Sequence, residues 1–299
     1  MRNIFTHSQN LKVIVQGATG TEGQRAVQFM KNYHTKIVAG VTPGKGGQIV
    51  HDVPIYNSVA EAIALYGPCD ATSIYVPPAA NLAAVREALE NNIGIIHILT
   101  EGTPYKDLAL IHEVCDAVDA VLLGPGSLGL IMTDTVRLGM LGGNDPQNLY
   151  RPGHWTVISR SGGMTNELAN YLYHTNTGIR GALHLGSEKI CGLRLPDIIT
   201  MTEEDPETHA NIIFEELTYS DLQEIELYYQ QHPHHKPTYL IIAGSSLDSL
   251  PSNTAFGHLE SLQAMHTGNL SQRIQTLQQL GITILTNYNE LSHYLHNHE

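Results

Sequence analysis

The stretch Leu11-Lys12-Val13-Ile14-Val15-Gln16-Gly17-Ala18-Thr19-Gly20-Thr21-Glu22-Gly23-Gln24 decides the fold. Its apolar run from Lys12 to Val15 reads as a strand that breaks at Gly17 to Gly23, and a helix is expected from Gln24 onward. A strand, a glycine loop and a helix make a phosphate cradle. Gly17 takes the tight turn, Gly20 lets a ligand approach the backbone, and the first helical N–H groups turn their partial positive charge toward an anion. The spacing is G-x-x-G-x-x-G. The usual dinucleotide fingerprint has a glycine where this chain has Thr19, so the spacing admits either a phosphate-bearing ligand or a structural turn.

The end of the second strand bears on the ligand, because NAD-binding proteins normally place an acid there for the ribose hydroxyls. Here Lys36-Ile37-Val38-Ala39-Gly40-Val41 runs into Thr42-Pro43-Gly44-Lys45-Gly46-Gly47. The acid is missing and a lysine stands on a glycine-flanked turn. A cation favours an additional phosphate, which coenzyme A carries as its 3′-phosphate and NADP as its 2′-phosphate; a solvated surface lysine is the alternative.

A length of 299 residues is comfortable for two domains, and the net charge of −13 argues against nucleic acid or an anionic membrane surface as partner. An anionic ligand must be held locally. Protonating all 17 histidines would carry −13 to +4, so the surface field depends on pH. Cys69, Cys115 and Cys191 are far apart and form no C-x-x-C pair, which points away from zinc and disulfides and toward a reducing, cytoplasmic setting. No apolar run approaches the roughly 18 residues needed to span a bilayer, and no metal site is expected.

Further along, helices are expected at 58–65, 81–91 and 106–118, between strands at 71–76, 95–99 and 120–123. Alternation at this spacing implies a parallel sheet with helices on both faces, its ligands outside the carboxyl ends of the strands. From Thr133 to Gly153 the pattern lapses into Gly-, Asn- and Pro-containing sequence, which reads as a linker near residue 145. The alternation then restarts, with strands at 156–159, 182–185, 210–214, 239–243 and 282–285. Helices are expected at 167–173, 196–202, 219–231, 271–280 and 289–296. Arg160-Ser161-Gly162-Gly163 before a helix is a second candidate anion loop.

Gly17-x-Thr19-Gly20-x-x-Gly23, Gly40-Val41-Thr42-Pro43-Gly44-Lys45-Gly46-Gly47, Tyr75-Val76-Pro77, Thr100-Glu101-Gly102-x-Pro104, Gly124-Pro125 and Ser159-Arg160-Ser161-Gly162 together resemble the α subunit of succinyl-CoA synthetase. The resemblance implies a Rossmann-like coenzyme A-binding domain over 1–145 and a flavodoxin-like parallel-sheet domain over 146–299. It implies that Gly17, Thr19, Gly20, Thr21, Glu22 and Gly23 hold the diphosphate, Lys45 another phosphate, and Val76, Pro77, Leu99, Thr100 and Glu101 the adenine side. His258 would carry a phosphoryl group to a small carboxylate such as succinate, with Glu216 orienting its ring and Ser161, Gly162 and Asn166 around phosphate and substrate. ATP or GTP with Mg would bind a partner β subunit of ATP-grasp fold, since this chain has no G-x-x-x-x-G-K-[ST] sequence.

The C-terminal half departs from that family. Where relatives carry Gly-Pro-Asn-Cys-Pro-Gly, this chain has Gly124-Pro125-Gly126-Ser127-Leu128-Gly129; a substrate-contacting tyrosine becomes Asn166; and Gly-Gly-Asp-Pro becomes Gly186-Ser187-Glu188-Lys189. Gly-Glu-Ile-Gly-Gly reads Glu215-Glu216-Leu217-Thr218-Tyr219, and Gly-His-Ala-Gly-Ala reads Gly257-His258-Leu259-Glu260-Ser261. Bulk at Leu259 and like charge at Glu260 disfavour a dianionic phosphohistidine. A coenzyme A-binding paralogue without phosphoryl transfer, regulatory or scaffolding in role, is therefore the competing expectation, ahead of an NADP oxidoreductase.

Overall fold

A computed structural model describes residues 3–188, 190–216, 221–243 and 270–295. The chain forms two compact units, Met1–Tyr150 with Leu183–Leu193, and Arg151–Ala182 with Arg194–Glu299. Among the described residues no helix is long and apolar enough to cross a membrane.

In the first unit β1 (Lys12–Gln16), α1 (Thr21–Asn32) and β2 (Lys36–Val41) are followed by the hairpin of β3 (Ile49–Val50) and β4 (Val53–Tyr56). Then come α2 (Val59–Tyr66), β5 (Ala71–Ile74), α3 (Asn81–Glu90), β6 (Ile95–Ile98), α4 (Tyr105–Asp116) and β7 (Val121–Leu123). The strand order is β3-β4-β2-β1-β5-β6-β7, parallel throughout except for β3. Without that edge strand the order is 3-2-1-4-5-6, that of the doubly wound dinucleotide fold. Val13, Ile14 and Val15 are fully buried because helices cover both faces of a central strand, which is why β1 is apolar without alternation. The chain leaves β1 toward β2 and later crosses to β5 on the other side. That reversal opens a crevice outside the carboxyl ends of β1 and β5.

The helix α1 begins at Thr21, three residues earlier than Gln24, and Gly23 lies inside it. A Cβ on Gly23 would stand 2.2 Å from the Gly17 carbonyl oxygen, so the glycine allows the helix to close directly onto the loop. The expected linker is corrected in part: β8 (Gly129–Met132) and β9 (Val136–Gly139) form an antiparallel hairpin ahead of a short α5 (Pro146–Leu149). Gly129 and Gly139 face each other in this ladder, both at φ +102°, and a Cβ on either would come within 3.0 Å of the other's Cα. These glycines permit a close approach of strands, where the sequence pattern suggested punctuation.

In the second unit β10 (Pro152–Ser159), α6 (Gly162–His174), β11 (Ile179–His184) and α7 (Leu195–Glu204) precede β12 (Ala210–Glu216) and α8 (Asp221–Gln231). The strands β13 (Thr238–Ala243) and β14 (Thr283–Leu285) flank α9 (Leu270–Gln279). The order β14-β13-β12-β10-β11, with parallel register along β10, β12, β13 and β14, is the flavodoxin-like 2-1-3-4-5. The helix α6 starts five residues before Glu167, because the Ser161 hydroxyl accepts the Met164 N–H at its N-cap. The helix expected at 289–296 is instead a 3₁₀ segment, Tyr288–His293. There Asn287 Oδ1 accepts the Asn289 N–H and Glu290 accepts that of Thr286, local bonds that compete with α-helical pairing.

Candidate functional site

At the crevice of the first unit, the Gly17 N–H donates to the Val41 carbonyl at 2.8 Å and the Gly17 carbonyl accepts the Gly20 N–H at 3.1 Å. Gly17 has φ +76°, and a Cβ there would lie 2.7 Å from the Tyr75 carbonyl oxygen, so the end of β5 is the wall of this turn. Gly20 is the N-cap of α1, in extended conformation, and supplies no capping side chain. Among the described residues no side chain caps the amides of Thr21, Glu22 and Gly23 that begin the helix, which suits a phosphate. Thr19 is tied down on both sides, its N–H to Thr42 Oγ1 at 3.4 Å and its carbonyl to Gln24 Nε2 at 2.8 Å.

Lys45 stands on the turn after β2, where its N–H reaches the Thr42 carbonyl at 3.0 Å. Among the described residues no carboxylate pairs with its ammonium. The turn is pinned by Asn57, whose Oδ1 accepts from Gly44 N–H at 3.0 Å and Gly46 N–H at 3.1 Å. Sequence reasoning passed over Asn57; its signal is an Asx side chain leaving β4 opposite a glycine turn.

On the other lip the Val76 carbonyl accepts the Thr100 hydroxyl at 2.7 Å, and the Leu99 N–H donates to the Ile74 carbonyl at 3.2 Å, which knits the ends of β5 and β6 together. Pro77 caps a 3₁₀ turn at Pro78–Ala80. Glu101 accepts the Ser187 hydroxyl at 2.5 Å, and the Gly102 N–H donates to the Glu188 carboxylate. The segment resembling a phosphate-binding helix start thus brings a carboxylate of its own onto a backbone donor next to Glu101.

In the second unit, Ser161 follows β10 at the start of α6. Its N–H donates to Ser159 Oγ at 2.8 Å and its hydroxyl is used by Met164, so the amides of Gly162 and Gly163 remain as the helix's unpaired donors among the described residues. Asn166 lies one turn into α6, half-buried. Glu216 ends β12 opposite Ala243 of β13, while its neighbour Glu215 is fully buried. His258 lies outside the described residues.

Beneath the first crevice runs a buried polar chain. Ser73 Oγ lies 2.8 Å from Tyr75 Oη and 2.7 Å from His97 Nδ1, and His97 Nε2 is 2.9 Å from the Ser127 carbonyl oxygen. Ser127 Oγ in turn donates to the His184 carbonyl at 2.5 Å. Ser73, His97 and Ser127 are fully buried. Burial pushes the His97 pKa down to about 4, outweighing the stabilising bond to Ser127. The unfolded chain, with a histidine near pH 6.5, then binds more protons than the native one between the two values. The associated stability is complete above about pH 6.5 and is lost as pH falls toward 4. Urea midpoints at pH 7.5 and 4.5 should show wild type losing about 2 to 3 kcal/mol more than His97→Asn over that interval. Parallel losses would mean the ring is not held neutral by burial.

Residues 8–102 match the CoA-binding domain family. Over 276 residues the chain is 33% identical to the succinate–CoA ligase [ADP-forming] subunit alpha 1 of Archaeoglobus fulgidus, covering 92% of this chain and 91% of that one. It is 29% identical over 282 residues to an ADP-forming sulfoacetate-CoA ligase subunit of Bilophila wadsworthia, covering 93% of each. In fold it is similar to Methanosaeta concilii ATP citrate lyase in complex with (3S)-citryl-CoA, with a TM-score of 0.86 at 22% identity; the match takes in 96% of this chain and spans half the length of that one. Identity of this level over this length marks common descent, and the chain belongs to the α subunits of the ADP-forming acid–CoA ligases, the family of the succinate–CoA ligase α subunit.

Proposed function

We propose that this chain is the α subunit of a succinate–CoA ligase, working with a separate ATP-grasp β subunit that binds ATP or GTP with Mg, in the cytoplasm. The observation that carries the coenzyme A part is the uncapped start of α1 over Gly17, Gly20 and Gly23, with Lys45 on the neighbouring strand-end turn. Backbone donors and a helix dipole would hold the diphosphate, and the ammonium a further phosphate. Coenzyme A supplies the thiol that becomes the thioester. Val76, Pro77, Leu99, Thr100 and Glu101 would border the adenine side. The 146–299 domain would carry the phosphoryl group on His258, with Glu216 holding the ring and Ser161, Gly162 and Asn166 near phosphate and carboxylate. The relative named as a sulfoacetate-CoA ligase subunit supports, as the substrate class, a short carboxylate with a second anionic group.

Calorimetry on the chain tests the coenzyme A assignment. Lys45→Ala should weaken coenzyme A by roughly tenfold to a hundredfold, the loss of one charge-assisted contact in a partly exposed site, and leave dephospho-CoA nearly unchanged. Equal affinity for NAD and coenzyme A would sink it.

One observation favours a second reading, a coenzyme A-binding paralogue without phosphoryl transfer: the Glu188 carboxylate rests on the Gly102 N–H, a negative charge where the family's phosphate-binding segment belongs. The two readings part on whether the chain becomes phosphorylated.

A further inference from the structure

The buried chain below the crevice runs from the Ser127 carbonyl through His97 and Ser73 to Tyr75. A main-chain carbonyl only accepts, so His97 Nε2 carries the proton that goes to Ser127. The Ser73 hydroxyl donates to Tyr75 Oη at 2.8 Å and lies 2.7 Å from His97 Nδ1, so this one group joins the imidazole to the phenol. Tyr75 is thereby held from inside the protein by two residues that never reach solvent. Its ring also meets the His97 ring edge-on, 6.2 Å between centroids. Its main chain is the surface on which Gly17 turns: a Cβ on Gly17 would lie 2.7 Å from the Tyr75 carbonyl oxygen and 3.1 Å from the Val76 nitrogen. With so little clearance, a small displacement of Tyr75 displaces the loop.

We infer that His97 is a positioning residue for the phosphate loop, fixing the seat of Tyr75 through Ser73 and so setting the affinity for coenzyme A. The inference rests on the coenzyme A reading of the crevice. The two arms of His97 are separable, because asparagine reproduces the Nδ1 side of a histidine and glutamine the Nε2 side. In His97→Asn the side-chain amide still meets the Ser73 hydroxyl and the bond to Ser127 is lost. In His97→Gln the amide still donates to Ser127 and the contact with Ser73 is lost. A residue that serves only the packing of the core makes both variants equally poor binders. A residue that positions Tyr75 separates them.

The full-length chain is titrated with coenzyme A by calorimetry, with thermal melts run alongside. His97→Asn should bind within about twofold of wild type, whereas His97→Gln and Ser73→Ala should each bind about fivefold to twentyfold more weakly, the equivalent of one buried hydrogen bond. The double variant should be no weaker than either single one, since both break the same link. Equal weakening in His97→Asn and His97→Gln overturns the inference, and so does wild-type affinity in Ser73→Ala. Ser73→Ala removes one hydroxyl and decides the matter alone if a His97 variant does not fold. A wild type that does not bind coenzyme A at all overturns the functional reading, and the inference with it; a wild type that binds, with variants that do not separate, overturns the inference only.

Discussion

Replacing Arg137 with alanine should destabilise the first unit by about 3 to 5 kcal/mol, on the scale of the largest core truncations. Arg137 lies in β9, fully buried. Its Nη1 donates to the Phe29 carbonyl at 3.3 Å and its Nη2 to the Met140 carbonyl at 2.8 Å, while the guanidinium carbon stands 4.8 Å from the centre of the Phe29 ring. Among the described residues no carboxylate pairs with it, and the phenols of Tyr75, Tyr150 and Tyr33 are the ionisable groups that favour its charged form. Burial lowers its pKa to about 10, which still leaves it charged at neutral pH. What offsets the desolvation is the carbonyl of Phe29 in the last turn of α1, where the helix dipole is negative and backbone acceptors lack helical partners. Truncation would empty the space of a large side chain and strip two carbonyls of donors. Arg137→Met keeps most of the volume and removes a desolvated charge, so it should cost less than half as much. Urea unfolding followed at constant m-value distinguishes the two; an alanine variant within about 1 kcal/mol of wild type would show that β9 is not anchored to α1 through this side chain.

The parts of the fold that were legible from sequence are those whose cause is local. A central parallel strand must be apolar on both faces, and Val13-Ile14-Val15 or Ile95-Ile96 announce this by themselves. Gly17 was legible because a strand, a glycine and a helix start fall within a dozen residues. The β8–β9 hairpin was not, because glycine has two uses, and whether Gly139 breaks a strand or lets Gly129 approach depends on a partner in space. The Lys45 turn was visible, yet the residue that shapes it, Asn57, acts across 11 to 13 positions. His97 sits in an apolar strand with nothing in its neighbours to mark it: its partners Ser73 and Ser127 lie 24 and 30 residues away. The bond from Ser187 to Glu101 spans 86 residues. Such pairings are made by the sheet order, and a sequence pattern carries no record of them until that order is known.

Incubating the proposed complex of this chain and its β subunit with γ-labelled ATP should label wild type in an acid-labile manner and leave His258→Asn at background. Nucleophilic transfer through an imidazole needs a neutral nitrogen, a carboxylate to orient the ring and backbone donors to hold the phosphate. The amides of Gly162 and Gly163 at the start of α6, unpaired among the described residues, suit the last of these, and Glu216 at the end of β12 is the expected carboxylate. Against them stands the charge of Glu260, two residues beyond His258 in the sequence. A carboxylate so near in sequence opposes a dianionic phosphohistidine, so the label should form slowly or turn over quickly compared with a site free of this acid. A label that persists in His258→Asn, or a wild type that takes no label from ATP or from succinyl-CoA with phosphate, moves the function to a coenzyme A-binding paralogue without phosphoryl transfer.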